Sequence, residues 1–168
     1  GAGIQADLKT FSALGAYGCA AMTALTAQST QGVTGIHVVP ADFVREQVET
    51  LVADVRLDAV KIGMLATADV ADAVASVVAE LDCPVVLDPA MVSTSGSRLL
   101  DEDAMAAVRR LVPLASAITP NLPEAAELLG GPVATSVDEM RVQAQALLDS
   151  VGAQRVLLKG GHGDGLSL

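Results

Sequence analysis

Five short apolar runs, AMTAL (21–25), DAVKIG (58–63), CPVVLD (83–88), SAIT (116–119) and RVLLK (155–159), alternate with longer segments of helical period. The runs are too brief to be helices and are bounded by Gly, Pro and Asp, so they predict buried parallel strands. Between them, Val44, Val48, Leu51, Val52 and Val55 fall on one helical stripe, and Val70, Val74, Val77, Val78 and Leu81 repeat it. A third helix follows Asp101 and carries Met105, Val108 and Leu111. A fourth starts at Ser136, where Glu139 has capping-box spacing, and presents Met140, Ala144, Leu147, Leu148 and Val151. Strand–helix alternation requires right-handed crossovers, so the predicted fold is an open α/β sheet with helices on both faces.

At 168 residues, 51% of them hydrophobic, the chain is long enough to bury one core, and no repeat, low-complexity tract or linker divides it. A single domain over 1–168 is expected. Twenty acidic residues against ten basic ones give a net charge of -10, which disfavours nucleic acid as a partner. No apolar stretch is long enough to predict a membrane span. Cys19 and Cys83 stand far apart, without a CxxC pair or a histidine at ligand spacing, and read as reduced core thiols of a cytoplasmic protein.

Candidate ligand-binding residues collect where the predicted strands end: Gln28 after the first, Met64 after KIG, Asp88 in LDP, Asn121 and Glu124 after AIT, and Lys159 in LLKGGH. In open α/β sheets the ligand crevice lies outside the carboxyl ends of the strands, so these positions can converge although tens of residues separate them. Pro120 ends its strand and Pro123 suits the first turn of a helix, which holds Glu124 near that helix's start. Taken singly, each residue has a plain reading. A first-turn Glu complements the helix dipole, Asp-Pro makes a turn, Lys-Gly-Gly is a strand exit, and Gln28 in a TAQST loop is solvated. Taken together, an Asp, a Glu, a Lys and glycine turns are the components of a site for polyphosphate and Mg²⁺. The opening GAG does not make a dinucleotide fingerprint, since no strand precedes it and a third glycine is missing.

GAGIQADLKTFSALGAYG, TALTAQ, KIGML, VVLDP, ITPNLPEAAELL and LLKGGH, in this order, resemble the hydroxymethylpyrimidine/phosphomethylpyrimidine kinases of thiamine biosynthesis, members of the ribokinase-like superfamily. The resemblance runs from end to end. It implies a ribokinase-like three-layer α/β/α fold with a mostly parallel central sheet, present as a homodimer. The implied activity is transfer of phosphate from ATP, with Mg²⁺, to 4-amino-5-hydroxymethyl-2-methylpyrimidine and then to its monophosphate. Carried over to this chain, Gln28, Asp7, Met64 and the backbone at Ala90 take the pyrimidine, while Lys159 and Asn121 take ATP and its phosphates. Asp88 and Glu124 take the metal. Family members are longer, and their catalytic, glycine-rich GTGC-like segment has no counterpart in these 168 residues. A domain truncated at both ends, lacking its first strand and catalytic base, is therefore expected. The resemblance also admits fusion to other thiamine-pathway domains. Two other functions fit the same scaffold: a pyridoxal/pyridoxine-type vitamin kinase, and a non-catalytic pyrimidine-binding protein.

Overall fold

In a computed structural model the structure describes residues 3–91 and 102–160. Helix α1 (Ile4–Ala13) comes first, followed by strands β1 (Ala24–Gln28) and β2 (Val33–Val38) and helix α2 (Ala41–Asp54). Then β3 (Val60–Ile62), α3 (Ala68–Val78), β4 (Val85–Leu87) and α4 (Glu102–Leu111) alternate. A 3₁₀ turn (Val112–Leu114), β5 (Ala117–Ile118), α5 (Leu122–Leu129) and α6 (Val137–Ser150) complete the described elements.

Strands β3, β4 and β5 form a parallel sheet in that order. The RVLLK run continues it beyond β5, bridging Ile118 to Val156 and Asn121 to Lys159 in parallel. Its amides alternate with those of β5: Ile118 N–H donates to the Arg155 carbonyl at 2.9 Å and Leu157 N–H to the Ile118 carbonyl at 2.9 Å. Leu87 and Ile118 are fully buried within this sheet, as sheets covered by helices require. Packed on it are Val44, Val70, Val78, Val108, Leu111 and Leu147, one or more from each of the four predicted stripes. Each such aliphatic side chain contributes about 1.5–3 kcal/mol on burial.

The first predicted strand is corrected by the structure. AMTAL is not a buried parallel strand: β1 starts at Ala24, pairs antiparallel with β2, and belongs to a separate two-stranded sheet. Four of its five residues are exposed. The apolar letters of AMTAL and the alanine-rich context hide this, because a ribbon of Ala and Thr needs no core on either face. The thiols are corrected too. Cys19 and Cys83 are unpaired but only half-buried, outside the core.

Helix starts follow local chemistry closely. Thr67 caps α3 and Ser136 caps α6, each accepting from the backbone N–H three residues on. At α6 the reciprocal arm expected of Glu139 goes instead to Thr135, whose N–H and hydroxyl donate to the same carboxylate oxygen at 2.7 and 2.9 Å. Those two donors hold the Glu139 carboxyl below its ordinary value. Asp101, read as the flank of α4, lies outside the described residues.

Candidate functional site

The carboxyl edge of the sheet is built by the exits of β4, β5 and the RVLLK segment. Asp88 leaves β4, its N–H still donating to the Ile62 carbonyl of β3 at 2.8 Å. Lys159 leaves the last extended segment, held in register by its N–H to the Pro120 carbonyl at 2.8 Å. The two side chains, 71 residues apart, meet as an ion pair with Nζ 2.8 Å from Asp88 Oδ1. Thr119, at the end of β5, donates its hydroxyl to the same oxygen at 3.3 Å. The pair is half-exposed, 42% for Lys159 and 28% for Asp88, so it is a poor source of stability and an available source of charge.

Glu124 stands beside this pair. Asn121 caps α5, accepting from Glu124 N–H at 2.9 Å, and the Glu124 carboxylate accepts from Asn121 N–H at 2.8 Å. This is a complete capping box, with proline in the first turn of α5 and Gly130 closing the helix at φ 65°. The same carboxylate is only 4% exposed, the one charged residue in the buried set among the described residues. Burial pushes its pKa up, the strongest influence, and the Asp88 charge adds to that; the Asn121 N–H, the Lys159 cation and the Met91 N–H act the other way. An isolated helix dipole would ask for an exposed acid here. A buried acid between a lysine and a second carboxylate is suited to meeting a cation.

Asn121→Ala removes one arm of the box and is expected to lower stability by about 1 kcal/mol. A urea midpoint unchanged within error would show that the box adds nothing to α5.

At the exit of β3, a second group of contacts forms. The Met64 carbonyl accepts the Thr23 hydroxyl at 2.6 Å, and the Gln47 side chain brackets Met22 through both its N–H and its carbonyl, at 3.0 and 2.9 Å. These bonds tie the base of the β1–β2 hairpin to α2 and to the segment that leaves β3. Between Met64 and Thr67 the chain turns through Ala66, a buried alanine with φ 63°, a left-handed conformation that L-residues adopt at a cost. Asp7, on α1, lies against Lys61 of β3, whose ammonium reaches both its oxygens. Ala90 N–H turns back onto the Asp88 carbonyl at 2.7 Å.

The structure therefore brings Asp88, Lys159, Asn121 and Glu124 together, and places Met64 and Asp7 at the neighbouring strand exit. Gln28 is different. It is the last residue of β1, exposed, and paired with Val33 just after a bulge. Because β1 is tied down at Thr23 and rises about 3.4 Å per residue, Gln28 sits roughly 14 Å along the hairpin from Ala24, not at an exit of the parallel sheet. Two further residues, Thr119 and Lys61, join these contacts without a strong signal in the sequence. Thr119 is marked only by its place before Pro120 at a strand end, and nothing local marks Lys61. Gly161 and His162 of LLKGGH lie outside the described residues. No group of three metal-ligating side chains occurs among the described residues. Asp88 and Glu124 offer two carboxylates, and Mg²⁺ takes one or two from a protein and fills its shell with water and phosphate oxygens.

The chain has a parallel sheet flanked by helices, with a cation and two carboxylates gathered at its carboxyl edge, and its structural neighbours are ribokinase-like vitamin kinases. The chain belongs to the phosphomethylpyrimidine kinase family, whose profile matches residues 1–167. It is 52% identical over 166 residues to the hydroxymethylpyrimidine/phosphomethylpyrimidine kinase of Escherichia coli K12, covering 98% of this chain and 62% of that protein. It is 48% identical to the thiamine biosynthesis multifunctional protein ThiED of Corynebacterium efficiens, covering 96% of this chain and 22% of that protein, so fusion does occur among its relatives. Among solved structures, phosphomethylpyrimidine kinase from Clostridium difficile 630 superposes with a TM-score of 0.89 at 41% identity, over 99% of this chain and 72% of that one. Pyridoxal kinase from Staphylococcus aureus in complex with AMP-PCP gives 0.85 at 35% identity, over 98% of this chain and 60% of that one. The chain thus spans about three-fifths of the length of the E. coli relative. Among the described residues no helix is long and apolar enough to cross a membrane.

Proposed function

We propose that the protein to which this chain belongs phosphorylates 4-amino-5-hydroxymethyl-2-methylpyrimidine and then its monophosphate, using ATP and Mg²⁺, as a cytoplasmic homodimer. Residues 1–168 form most of one kinase domain, and the general base comes from the GTGC-like segment of the full-length protein. The observation that carries this reading is the Asp88–Lys159 pair beside buried Glu124 at the sheet's carboxyl edge. Phosphoryl transfer needs positioning and charge compensation more than covalent chemistry, and this edge provides one half-exposed cation and two carboxylates.

Asp88 and Glu124 would hold Mg²⁺, which supplies charge neutralisation on the phosphate oxygens. Asn121 presents the start of α5, whose backbone N–H groups and dipole favour an anion. Lys159, half-exposed beside Asp88, would offer its ammonium to the transferred phosphate. Asp7, Met64 and the backbone at Ala90 line the pyrimidine side. The amide of Gln28, carried on the hairpin, donates to a ring nitrogen and accepts from the exocyclic amine at once, which a carboxylate or hydroxyl matches less well.

The test is a substrate panel on the full-length protein: the aminopyrimidine, its monophosphate and pyridoxal, each with ATP. Preference for pyridoxal would favour the vitamin-kinase alternative, for which the 35% identity to pyridoxal kinase is the supporting observation. Binding without turnover would favour a non-catalytic pyrimidine-binding protein. In the same protein, Gln28→Leu is expected to weaken the aminopyrimidine about tenfold, since an unpaired polar edge costs roughly 1–3 kcal/mol, and to leave MgATP affinity unchanged. Normal aminopyrimidine affinity in this variant would mean that Gln28 is a solvated hairpin residue.

A further inference from the structure

Lys61 has no role in the function set out above, yet it makes the most complete side-chain contact of α1. Its ammonium lies 3.1 Å from Asp7 Oδ1 and 2.9 Å from Oδ2, across 54 residues of sequence, with each side chain 29% exposed. Helix α1 begins without a side-chain cap hydrogen bond. On β3, Lys61 sits between Val60 and buried Ile62 and so faces away from the side that Ile62 packs. Its head reaches forward to the strand exit, where a Cβ at Gly63 would come within 3.4 Å of Nζ. The glycine thus leaves room for the ammonium beside Met64.

We propose that Lys61 is a positioning residue of the substrate pocket: by holding both oxygens of Asp7 it orients that carboxylate to accept a hydrogen bond from the amine of an aminopyrimidine. Each carboxylate oxygen has two acceptor directions, so a carboxylate engaged by one ammonium retains lone pairs for a ligand N–H. An Asp7 without Lys61 keeps its acceptors but loses the ammonium that holds both its oxygens in place. The inference rests on the functional reading above, in which Asp7 lines the pyrimidine side.

The experiment compares full-length wild type, Lys61→Met, Lys61→Arg, Asp7→Asn and the Lys61→Met/Asp7→Asn double variant by calorimetry, without nucleotide. The ligands are the aminopyrimidine and an analogue lacking the amine. Loss of an oriented charged acceptor predicts about tenfold weaker aminopyrimidine binding for Lys61→Met. Binding of the analogue should change by less than about threefold, and the double variant should be no worse than Asp7→Asn alone, as coupled residues behave. Lys61→Arg, which keeps a cation with several donors, should recover most of the affinity. Equal losses for both ligands, additive losses in the double variant, or a lowered melting temperature with unchanged affinity each overturn the proposal. Should Lys61→Met not fold, Lys61→Gln gives the same ligand comparison. Wild-type protein that binds no aminopyrimidine overturns the functional reading itself; wild-type binding without a selective loss overturns the role of Lys61 alone.

Discussion

Lys159→Ala in the full-length protein is expected to lower kcat for the pyrimidine by about two to three orders of magnitude while changing pyrimidine affinity less than about threefold. The cation is only half-buried and is paired with Asp88, so its ground-state interactions are modest. Its effect grows as charge moves onto the transferred phosphate, where a positioned donor can supply several kcal/mol. A second readout follows from the neighbouring acid. Lys159 favours the charged form of Glu124, so removing it raises that carboxyl's pKa further. If charged Glu124 is needed for the metal, the acid limb of the kcat profile moves to higher pH in Lys159→Ala. Equal losses in pyrimidine affinity and rate would place Lys159 in the pyrimidine pocket instead, and an unmoved acid limb would uncouple Glu124 from the reaction.

Glu124→Gln should separate stability from activity. The amide keeps an acceptor for Asn121 N–H and removes the burden of a buried charge, so the helix start persists. Activity should fall by about ten- to a hundredfold and the Mg²⁺ requirement should rise, because Mg²⁺ depends on carboxylate oxygens. The pH dependence of stability has a definite sign. Burial raises the folded-state pKa above the ordinary 4.5, so the native state binds more protons than the unfolded chain between the two values. The stability associated with the neutral carboxyl is full below 4.5 and is lost as pH rises through the folded value. Urea midpoints of wild type should therefore carry this decline, and those of Glu124→Gln should lack it. A variant that is less stable than wild type at pH 8 would mean the charged capping box outweighs desolvation; a variant with wild-type Mg²⁺ dependence and rate would leave Glu124 a helix cap and nothing more.

Much of this edge is legible in the amino-acid sequence, for identifiable reasons. Val70, Val77 and Val78, or Val108 and Leu111, repeat at helical spacing and are buried on one face, because periodicity is a local record of which side meets the core. VVL between Pro84 and Asp88 can only be a short strand, and it is β4. Two prolines around Asn121 dictate a strand end and a helix start three residues apart, and α5 begins there. The hairpin is not legible in the same way. VTGIHV is exposed at four of its six positions and contains a glycine, so it has neither the run of a buried strand nor the alternation of a half-buried one. With no local mark of β2, the residues of β1 read as a member of the main sheet, which puts Gln28 at the wrong edge.

Local rules determined the identity and order of most elements, the polarity of each strand exit, and a family resemblance carried by contiguous blocks such as GAGIQADLKT and ITPNLPEAAELL. These depend on neighbours within a few residues, where backbone sterics and side-chain spacing decide the outcome. Only the tertiary structure decided that Asp88 meets Lys159 across 71 residues, that Asp7 meets Lys61 across 54, and that Glu124 is buried rather than left to solvent. Such contacts follow from which strands lie side by side and how far each exit extends, and parallel strands joined by long crossovers carry no local mark of their partners. The raised pKa of Glu124 is decided largely at that level as well, since burial, its largest cause, outweighs the local Asn121 N–H, and Lys159 and Asp88 act on it from elsewhere in the chain.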